Sequence, residues 1–162
     1  MKNLIMFTML AVIVTVCDVN LTFAGEYAWG KTKWGMSLDQ VNKAVGKKFT
    51  FFKKDNNGGN IYTVDNYKIG QQLYGVSAIF YNKKLEKIIL SAKGNQAEMK
   101  KSCTDIFGAI KKRVGRGKPS VSTRDVTELK WRTDETNIGL LCMPDIVIVS
   151  YEKIKNDGSS PF

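Results

Sequence analysis

The chain has 162 residues, a length typical of one domain. It carries 25 Lys and Arg against 15 Asp and Glu, which gives a net charge of +10. It contains three cysteines and no histidine. The absence of histidine excludes Ser-His and Cys-His nucleophile pairs, imidazole bases and most zinc, copper and non-haem iron sites.

The first 24 residues have the pattern of a secretory signal peptide. Lys2 provides a positive start, and an apolar run of 13 residues follows over positions 4–16. That run is shorter than the roughly 20 residues that a membrane-spanning helix needs. The small residue Ala24 places the predicted cleavage before Gly25. We therefore predict a periplasmic or secreted protein; an uncleaved anchor is the alternative.

Cleavage before Gly25 leaves a single predicted domain over residues 25–155 and a mobile tail over 156–162. Cleavage there also removes Cys17. A lipoprotein would retain this cysteine, but Val16 does not match the small residue that lipoprotein processing requires before its cysteine. Lipid attachment at Cys17 is the alternative. The net charge stays +10, because one Lys and one Asp leave with the signal peptide.

Two cysteines, Cys103 and Cys142, remain in the predicted domain. An oxidising compartment favours their pairing. Cys103 lies on the apolar stripe of a predicted helix, and Cys142 shares a strand face with Ile138 and Leu140. We predict a disulfide at this helix–sheet interface, which stabilises the fold by roughly 4 kcal/mol in the chain-entropy model. Two separately buried thiols are the alternative.

The first half of the domain is predicted to form a short helix followed by strands. Ser37 and Gln40 form a capping box that begins a helix over 38–45, and Gly46 ends it. Residue alternation then predicts strands at 49–52, 61–64, 67–69, 76–81 and 85–92.

The strands at 76–81 and 85–92 flank the sequence Asn82-Lys83-Lys84, which is a hairpin signal. Both faces of this pair are apolar. One face is therefore expected to pack on a helix, and the other on loops or on a partner.

The second half begins with a longer helix over 96–114, where apolar residues recur at helical spacing. Gly115 and Gly117 end it, and Pro119 prevents its resumption. Strands follow at 128–132, 138–142 and 146–151. The order helix, strands, helix, strands predicts an α+β fold. Its antiparallel sheet is expected to be covered on one face by one long and one short helix.

A Trp-Gly-x-Ser-x-x-x-Val element occupies residues 34–41. Further characteristic segments lie at 80–85, 114–119, 131–140 and 149–152. With these segments the chain resembles a group of small exported bacterial proteins that begin with that element. The group has no assigned activity, so the resemblance assigns no catalytic residue.

The helix-then-sheet order is also similar to two exported proteins. One is the small lipoprotein of the outer-membrane β-barrel assembly machine, and the other is the β-lactamase inhibitor protein. Both resemblances imply a protein-binding module by analogy of fold. No residue-level repeat relates the two halves of the chain.

Basic residues concentrate in two stretches. One follows the short helix at Lys47, Lys48, Lys53 and Lys54. The other lies on or after the long helix and comprises Lys100, Lys101, Lys111, Lys112, Arg113, Arg116 and Lys118. They favour an anionic partner. The alternative is a solvated surface with charges that complement the helix dipole.

Two further signals concern ligands. The sequence Gly115-Arg116-Gly117-Lys118 follows the end of a helix, whereas backbone phosphate cradles lie at helix N-termini. Trp29 and Trp34 are candidates for an aromatic ligand groove.

No P-loop, dinucleotide fingerprint or nucleophile elbow occurs in the sequence. We therefore expect no catalytic residue, metal or cofactor, and no transmembrane anchor after cleavage. The sequence predicts an exported, non-enzymatic module that binds a protein, of the inhibitor, immunity or envelope-assembly type. The alternative is a binder of anionic envelope lipid or polymer through the basic residues. Export separates the protein from nucleic acid, which is not expected as a partner.

Overall fold

A computed structural model describes residues 28–123 and 125–155. The predicted signal peptide at 1–24 and the predicted tail at 156–162 lie outside the described residues. The elements in chain order are α1 (Leu38–Val45), β1 (Thr50–Lys54), β2 (Asn60–Ile69), β3 (Gln72–Tyr81), β4 (Lys84–Lys93), α2 (Gln96–Val114), β5 (Lys118–Ser122), β6 (Thr127–Arg132), β7 (Thr136–Cys142) and β8 (Ile146–Lys153).

All eight of these strands belong to one antiparallel sheet, in the order β1-β2-β3-β4-β8-β7-β6-β5. Each helix is followed by a meander of four strands. The last strands of the two meanders, β4 and β8, pair at the centre of the sheet. The two halves therefore repeat one topology, although their sequences show no repeat. The predicted α+β fold with an antiparallel sheet is confirmed.

The ends of α1 follow from side-chain hydrogen bonds. Ser37 Oγ accepts a bond from the Gln40 N–H at 3.4 Å, and Gln40 Oε1 accepts one from the Ser37 N–H at 2.9 Å. This is the predicted capping box, which satisfies two helix-end donors. Gly46 ends the helix with a left-handed φ of 70°, which glycine adopts without a Cβ clash.

The predicted hairpin between β3 and β4 is also confirmed. Asn82 and Lys83 have φ values of 50° and 64°, and their neighbours Tyr81 and Lys84 pair across the turn. Two successive positive φ values are what a two-residue type I′ turn requires, and this turn matches the twist of the sheet.

Two strand predictions need correction. The predicted strands at 61–64 and 67–69 are parts of one strand, β2, because an irregularity between Val64 and Tyr67 interrupts the alternation without ending the pairing. Strand β5 is missing from the sequence-based prediction. Its sequence Lys-Pro-Ser-Val-Ser contains one apolar side chain besides the proline and therefore shows no hydrophobic alternation, and the proline is tolerated at a sheet edge.

One face of the sheet carries the core. Alternate residues of the central strands point to this inner face and are nearly or fully buried: Tyr74, Val76, Ala78, Phe80, Leu85, Ile88, Leu90, Ala92, Ile138, Leu140, Val147, Val149 and Tyr151. Helix α1 adds Val41 to this cluster, and α2 adds Met99 and Ile110. The helices therefore pack on the inner face.

A disulfide joins the two layers. It links Cys103 of α2 to Cys142 of β7, with their Cα atoms 5.9 Å apart. The pairing predicted from two periodicities is confirmed. Helix α2 is thus tied covalently to the strand that it covers.

Candidate functional site

The sheet has a second face, directed away from the helices, which we call the open face. A row of small and apolar side chains crosses it from β3 to β7: Ser77 pairs with Ile89, Ile89 with Ser150, and Ser150 with Gly139. A parallel row contains Gly75, Ser91, Ile148 and Leu141. Ile61 and Ile79, which pair with each other, adjoin these rows.

The apolar side chains of the open face do not contribute to the core. Ile79 is only 6% exposed, yet neither it nor Ile89, Leu141 or Ile148 belongs to the core cluster or packs against it. The residues before α1 lie on the other side, where the Trp34 Nε1–H donates to Thr136 Oγ1 at 2.9 Å.

Serine and glycine make the side chains at the centre of the open face small. Gly139 has no side chain, and the Ser150 hydroxyl occupies the space beside it, 2.7 Å from where a Cβ would lie. Few side-chain atoms therefore project from this part of the sheet. Seven interstrand spacings make the eight-stranded face roughly 34 Å wide, and seven residues of strand extend about 24 Å. The resulting area of about 800 Å², which includes the charged margins as well as the apolar rows, is close to one partner's share of a standard protein–protein interface.

Polar side chains occupy one end of the open face. Lys87 and Glu152 form an ion pair at 3.2 Å. The Tyr81 hydroxyl donates a hydrogen bond to Asp55 Oδ2, and the Lys155 ammonium lies 5.4 Å from the Tyr81 ring. The hydrogen bond from Tyr81 is the main cause that holds the pKa of the Asp55 carboxyl below its ordinary value, and it raises the pKa of Tyr81.

A cavity of about 480 Å³, which we call the basic pocket, lies at the β5–β6 margin of the sheet. It brings together two predicted basic residues, Arg116 and Lys118, with Lys130 and Arg132 of β6. Trp131, a core residue that is 5% exposed, also borders it. Sequence reasoning missed the two β6 cations because β5, the strand that places Lys118 opposite Lys130, gave no signal.

The other predicted basic residues lie apart from this pocket. Lys101 pairs with Asp105 at 2.7 Å on the outer surface of α2, and Lys111 lies 5.8 Å from the Phe107 ring. Lys100, Lys112 and Arg113 are also exposed on α2. The cluster predicted along the helix is thus distributed over its surface.

The two candidate groove tryptophans have different environments. Trp29 is 3% exposed and meets the ring of Tyr67 edge-on, at 5.0 Å between centroids. This packing makes Trp29 a core residue and removes it from the predicted groove. Trp34 is partly buried and is held by its bond to Thr136.

A second cavity, of about 440 Å³, lies between α2 and the β2–β3 hairpin. Tyr74 and Ser102 meet at its floor, 3.4 Å apart, and Lys101 and Asp105 pair at its rim. Burial raises the pKa of Tyr74, so this hydroxyl stays protonated. Glu98 also lines the cavity, and its carboxylate accepts a hydrogen bond from the Asn95 N–H at 3.1 Å.

Within the described part of the chain, no three or more Cys, Asp or Glu side chains assemble into a metal-binding group. The described helices also include none with the length and apolarity needed to cross a membrane.

Comparison of the chain with protein-family models, with curated proteins and with solved structures gives no match.

Proposed function

We propose that this protein is an exported, non-enzymatic module that docks a partner protein on the open face of its sheet. The observation that carries the proposal is the open face itself. It presents partly buried isoleucines and leucine among serines and glycines, on the side of the sheet away from both helices. Export is inferred from the signal-like sequence at 1–24, and the Cys103–Cys142 disulfide is compatible with it.

The chemistry of the open face suits a protein better than a small molecule. The face is broad and shallow, whereas small-molecule sites are concave and enclose most of their ligand. Most side chains at its centre are short or β-branched, so little conformational entropy is lost there when a partner covers them. Its area of about 800 Å² is adequate for a specific complex.

The partner is expected to carry carboxylates at its periphery. The chain has a net charge of +10, and Lys118 and Lys130 mark the β5–β6 margin of the open face. Opposite charge at an interface rim accelerates association more than it strengthens binding. Association should therefore slow as salt is raised.

Site-specific photocrosslinking tests this proposal. A photoreactive amino acid is placed at Ser77 or Ser150 on the open face, and at Thr104 on the outer surface of α2 as the control. We expect Ser77 and Ser150 to form an adduct with the same envelope protein, and Thr104 to form none. Adducts at Thr104 alone, or none at the open face, would show that the face does not bind a protein.

The identified partner then allows a quantitative test. Ser150→Arg places a long charged side chain in the centre of the open face and should weaken binding by more than about tenfold, or 1.4 kcal/mol. The matched variant Thr104→Arg adds the same charge on α2 and should leave affinity unchanged. Equal losses in both variants would point to net charge instead of the open face.

A further inference from the structure

We propose that a second surface of this protein binds an anionic lipid bilayer. This surface, which we call the aromatic edge, comprises residues 47–54, which follow α1 and include β1. Two phenylalanines, Phe51 and Phe52, enter the headgroup region, and the lysines beside them contact anionic headgroups. Strand β1 is the first strand of the sheet, whereas Ser77 and Ser150 belong to β3 and β8. The inference is therefore independent of protein docking on the open face.

The first argument is exposed aromatic surface. Phe51 is 58% exposed and Phe52 is 62% exposed, although they are adjacent in the chain. The other exposed large hydrophobic residues in the described part of the chain, Leu73 and Val121, lie singly on β3 and β5. A single exposed apolar residue needs no explanation, whereas adjoining ones mark a candidate contact with a protein or a membrane.

The second argument is the charge around the phenylalanine pair. Four exposed lysines flank it in the sequence: Lys47, Lys48, Lys53 and Lys54. Positions 40–54 contain no Asp or Glu. The Lys53 ammonium lies 5.4 Å from the centroid of the Phe52 ring, so a positive charge accompanies the aromatic group. This combination suits a bilayer, because lysine stems lie along apolar surface while their ammonium groups reach anionic headgroups.

The acidic residue that follows this stretch is bound elsewhere. Asp55 accepts hydrogen bonds from the Tyr81 hydroxyl and from the N–H groups of Asn57 and Gly59. Its carboxylate is thereby directed into its own turn. The positive charge of the aromatic edge is therefore available to an external anionic surface.

The third argument separates a bilayer from a partner strand. Strand β1 has only five residues, and its register shifts between Phe51 and Lys53. Short length, bulges and lysines are features that prevent an edge strand from pairing with a further strand. A bilayer needs no main-chain register, and a surface that approaches the sheet edge-on meets side chains of both sheet faces. The aromatic edge therefore suits lipid better than an added strand.

The phenylalanine pair is held in place before any lipid is present. Phe49 is 3% exposed, and its N–H donates to Asn42 Oδ1 of α1 at 2.9 Å. The Phe51 ring meets the Tyr62 ring edge-on, at 5.6 Å between centroids. A preorganised contact surface lowers the entropy lost on binding.

The depth of the contact follows from the main chain of β1. One side of this edge strand is not paired with a described strand. N–H and C=O groups without partners are costly in hydrocarbon, whereas water and lipid headgroups bond them at the interface. The aromatic edge is therefore expected to lie at the headgroup level, with only the phenyl rings reaching toward the acyl chains.

Vesicle sedimentation tests the proposal. Vesicles of phosphatidylcholine alone, or of equal parts phosphatidylcholine and phosphatidylglycerol, are mixed with the protein at about 0.15 M salt, where distant charges are screened. We expect saturable binding to the anionic vesicles and an affinity for the neutral vesicles that is lower by about tenfold or more. No binding to the anionic vesicles, or equal affinity for both, would overturn the proposal.

A double substitution of the phenylalanines locates the contact. Phe51→Thr with Phe52→Thr removes the aromatic surface but keeps residues that suit a strand. Affinity for the anionic vesicles should fall by about tenfold or more, because less apolar area enters the interface. The matched variant Leu73→Thr with Val121→Thr should change affinity by less than about twofold. All variants keep residues 1–27 unchanged, so equal affinities for wild type and the Phe51, Phe52 variant would overturn the assignment.

A charge-matched pair of variants tests the lysines. Lys47→Gln with Lys48→Gln alters only the segment between α1 and β1, so the fold should survive. Affinity for the anionic vesicles should fall by about tenfold. Lys100→Gln with Lys112→Gln removes the same charge from exposed positions on α2 and should lower affinity by less than about threefold. Equal losses would show a general effect of net charge and overturn the assignment to the aromatic edge.

A photoreactive amino acid at Phe52 tests the competing occupant, a strand of a partner protein. Adducts with lipid in cells would support the proposal. An adduct with one protein, together with no binding to anionic vesicles, would assign the aromatic edge to strand addition and overturn the proposal. Crosslinking at Ser77 and Ser150 is a separate measurement, so failure here is distinguishable from failure of docking on the open face.

Discussion

The two faces of the sheet share the same strands but differ in composition and environment. Along β4, Ile88 points to the inner face and is 1% exposed, whereas its neighbour Ile89 points to the open face and is only partly buried. Ile88 has two buried residues, Tyr151 and Ala78, as its cross-strand neighbours. Ile89 has Ser77 and Ser150 as its cross-strand neighbours.

This difference separates stability from binding. Burial of apolar surface stabilises folds by about 25 cal/mol per Å², and here it is concentrated on the inner face, under the helices and the disulfide. The apolar side chains of the open face lie outside this core. Substitutions on the inner face should therefore reduce stability, and those on the open face should mainly reduce partner binding.

The largest expected effect is loss of the disulfide that ties α2 to the inner face. Reduction releases a constraint between residues 39 positions apart. It should lower the free energy of unfolding by about 4 kcal/mol, a large share of the 5–15 kcal/mol typical of a domain. Urea unfolding with and without dithiothreitol measures this loss.

The control for reduction is a variant with Cys103→Ala and Cys142→Ala. Its urea midpoint should be low and unaffected by dithiothreitol. A wild-type midpoint that does not respond to reductant would contradict a stabilising disulfide. Partner binding to the open face should persist while the reduced protein remains folded.

The next largest expected effect is on the free energy of unfolding of alanine variants at Ile88 and Ile89. Ile88→Ala should lower the free energy of unfolding by about 3 kcal/mol, because it leaves a cavity among rigid neighbours. Ile89→Ala should lower it by about 1 kcal/mol, since only part of that side chain is buried. Urea unfolding of the two variants measures both, and equal losses would mean that something covers the open face as tightly as the helices cover the core.

Alanine substitutions at two glycines should have smaller effects on stability. Gly117→Ala directs a methyl group into the fixed Trp131 ring and should destabilise by about 2 kcal/mol. Gly139→Ala meets only the Ser150 hydroxyl, a single rotatable atom on the open face, and should change stability by less than about 0.5 kcal/mol. Thermal unfolding followed by near-ultraviolet circular dichroism reports both; a Gly139→Ala loss as large as that of Gly117→Ala would remove the contrast.

Much of the fold was predictable because its signals are local. The capping box at Ser37 and Gln40 and the apolar stripe over 96–114 located both helices. Two periodicities, one along the helix at Cys103 and one along the strand at Cys142, predicted the disulfide. Strand β5 was not predictable, since its sequence Lys-Pro-Ser-Val-Ser has one apolar side chain besides a proline and shows no alternation, whereas the equally exposed edge strand β1 contains two phenylalanines.

The candidate site was less predictable because it depends on register. Lys118 and Lys130 are neighbours only because β5 pairs with β6, and nothing near either residue in the sequence indicates this. The open face was anticipated in one respect, the apolarity of both faces of the β3–β4 pair. Its extension over β7 and β8 required the pairing of β4 with β8, which joins residues about 60 positions apart.

The smallest expected effect is a pH dependence at the polar end of the open face. The hydrogen bond from Tyr81 lowers the pKa of Asp55 below its ordinary value of 3.8. A carboxyl with a lowered pKa stabilises the fold above that ordinary value and loses this contribution as pH falls through the folded pKa. Tyr81→Phe should therefore be less stable than wild type near pH 6, and the difference in urea midpoint should shrink below about pH 4.

Asp55→Asn should show the same convergence, because it removes the other partner of the bond. A difference that stays constant with pH would assign the effect of Tyr81→Phe to ring packing, and the Asp55–Tyr81 bond would then contribute nothing measurable to the open face.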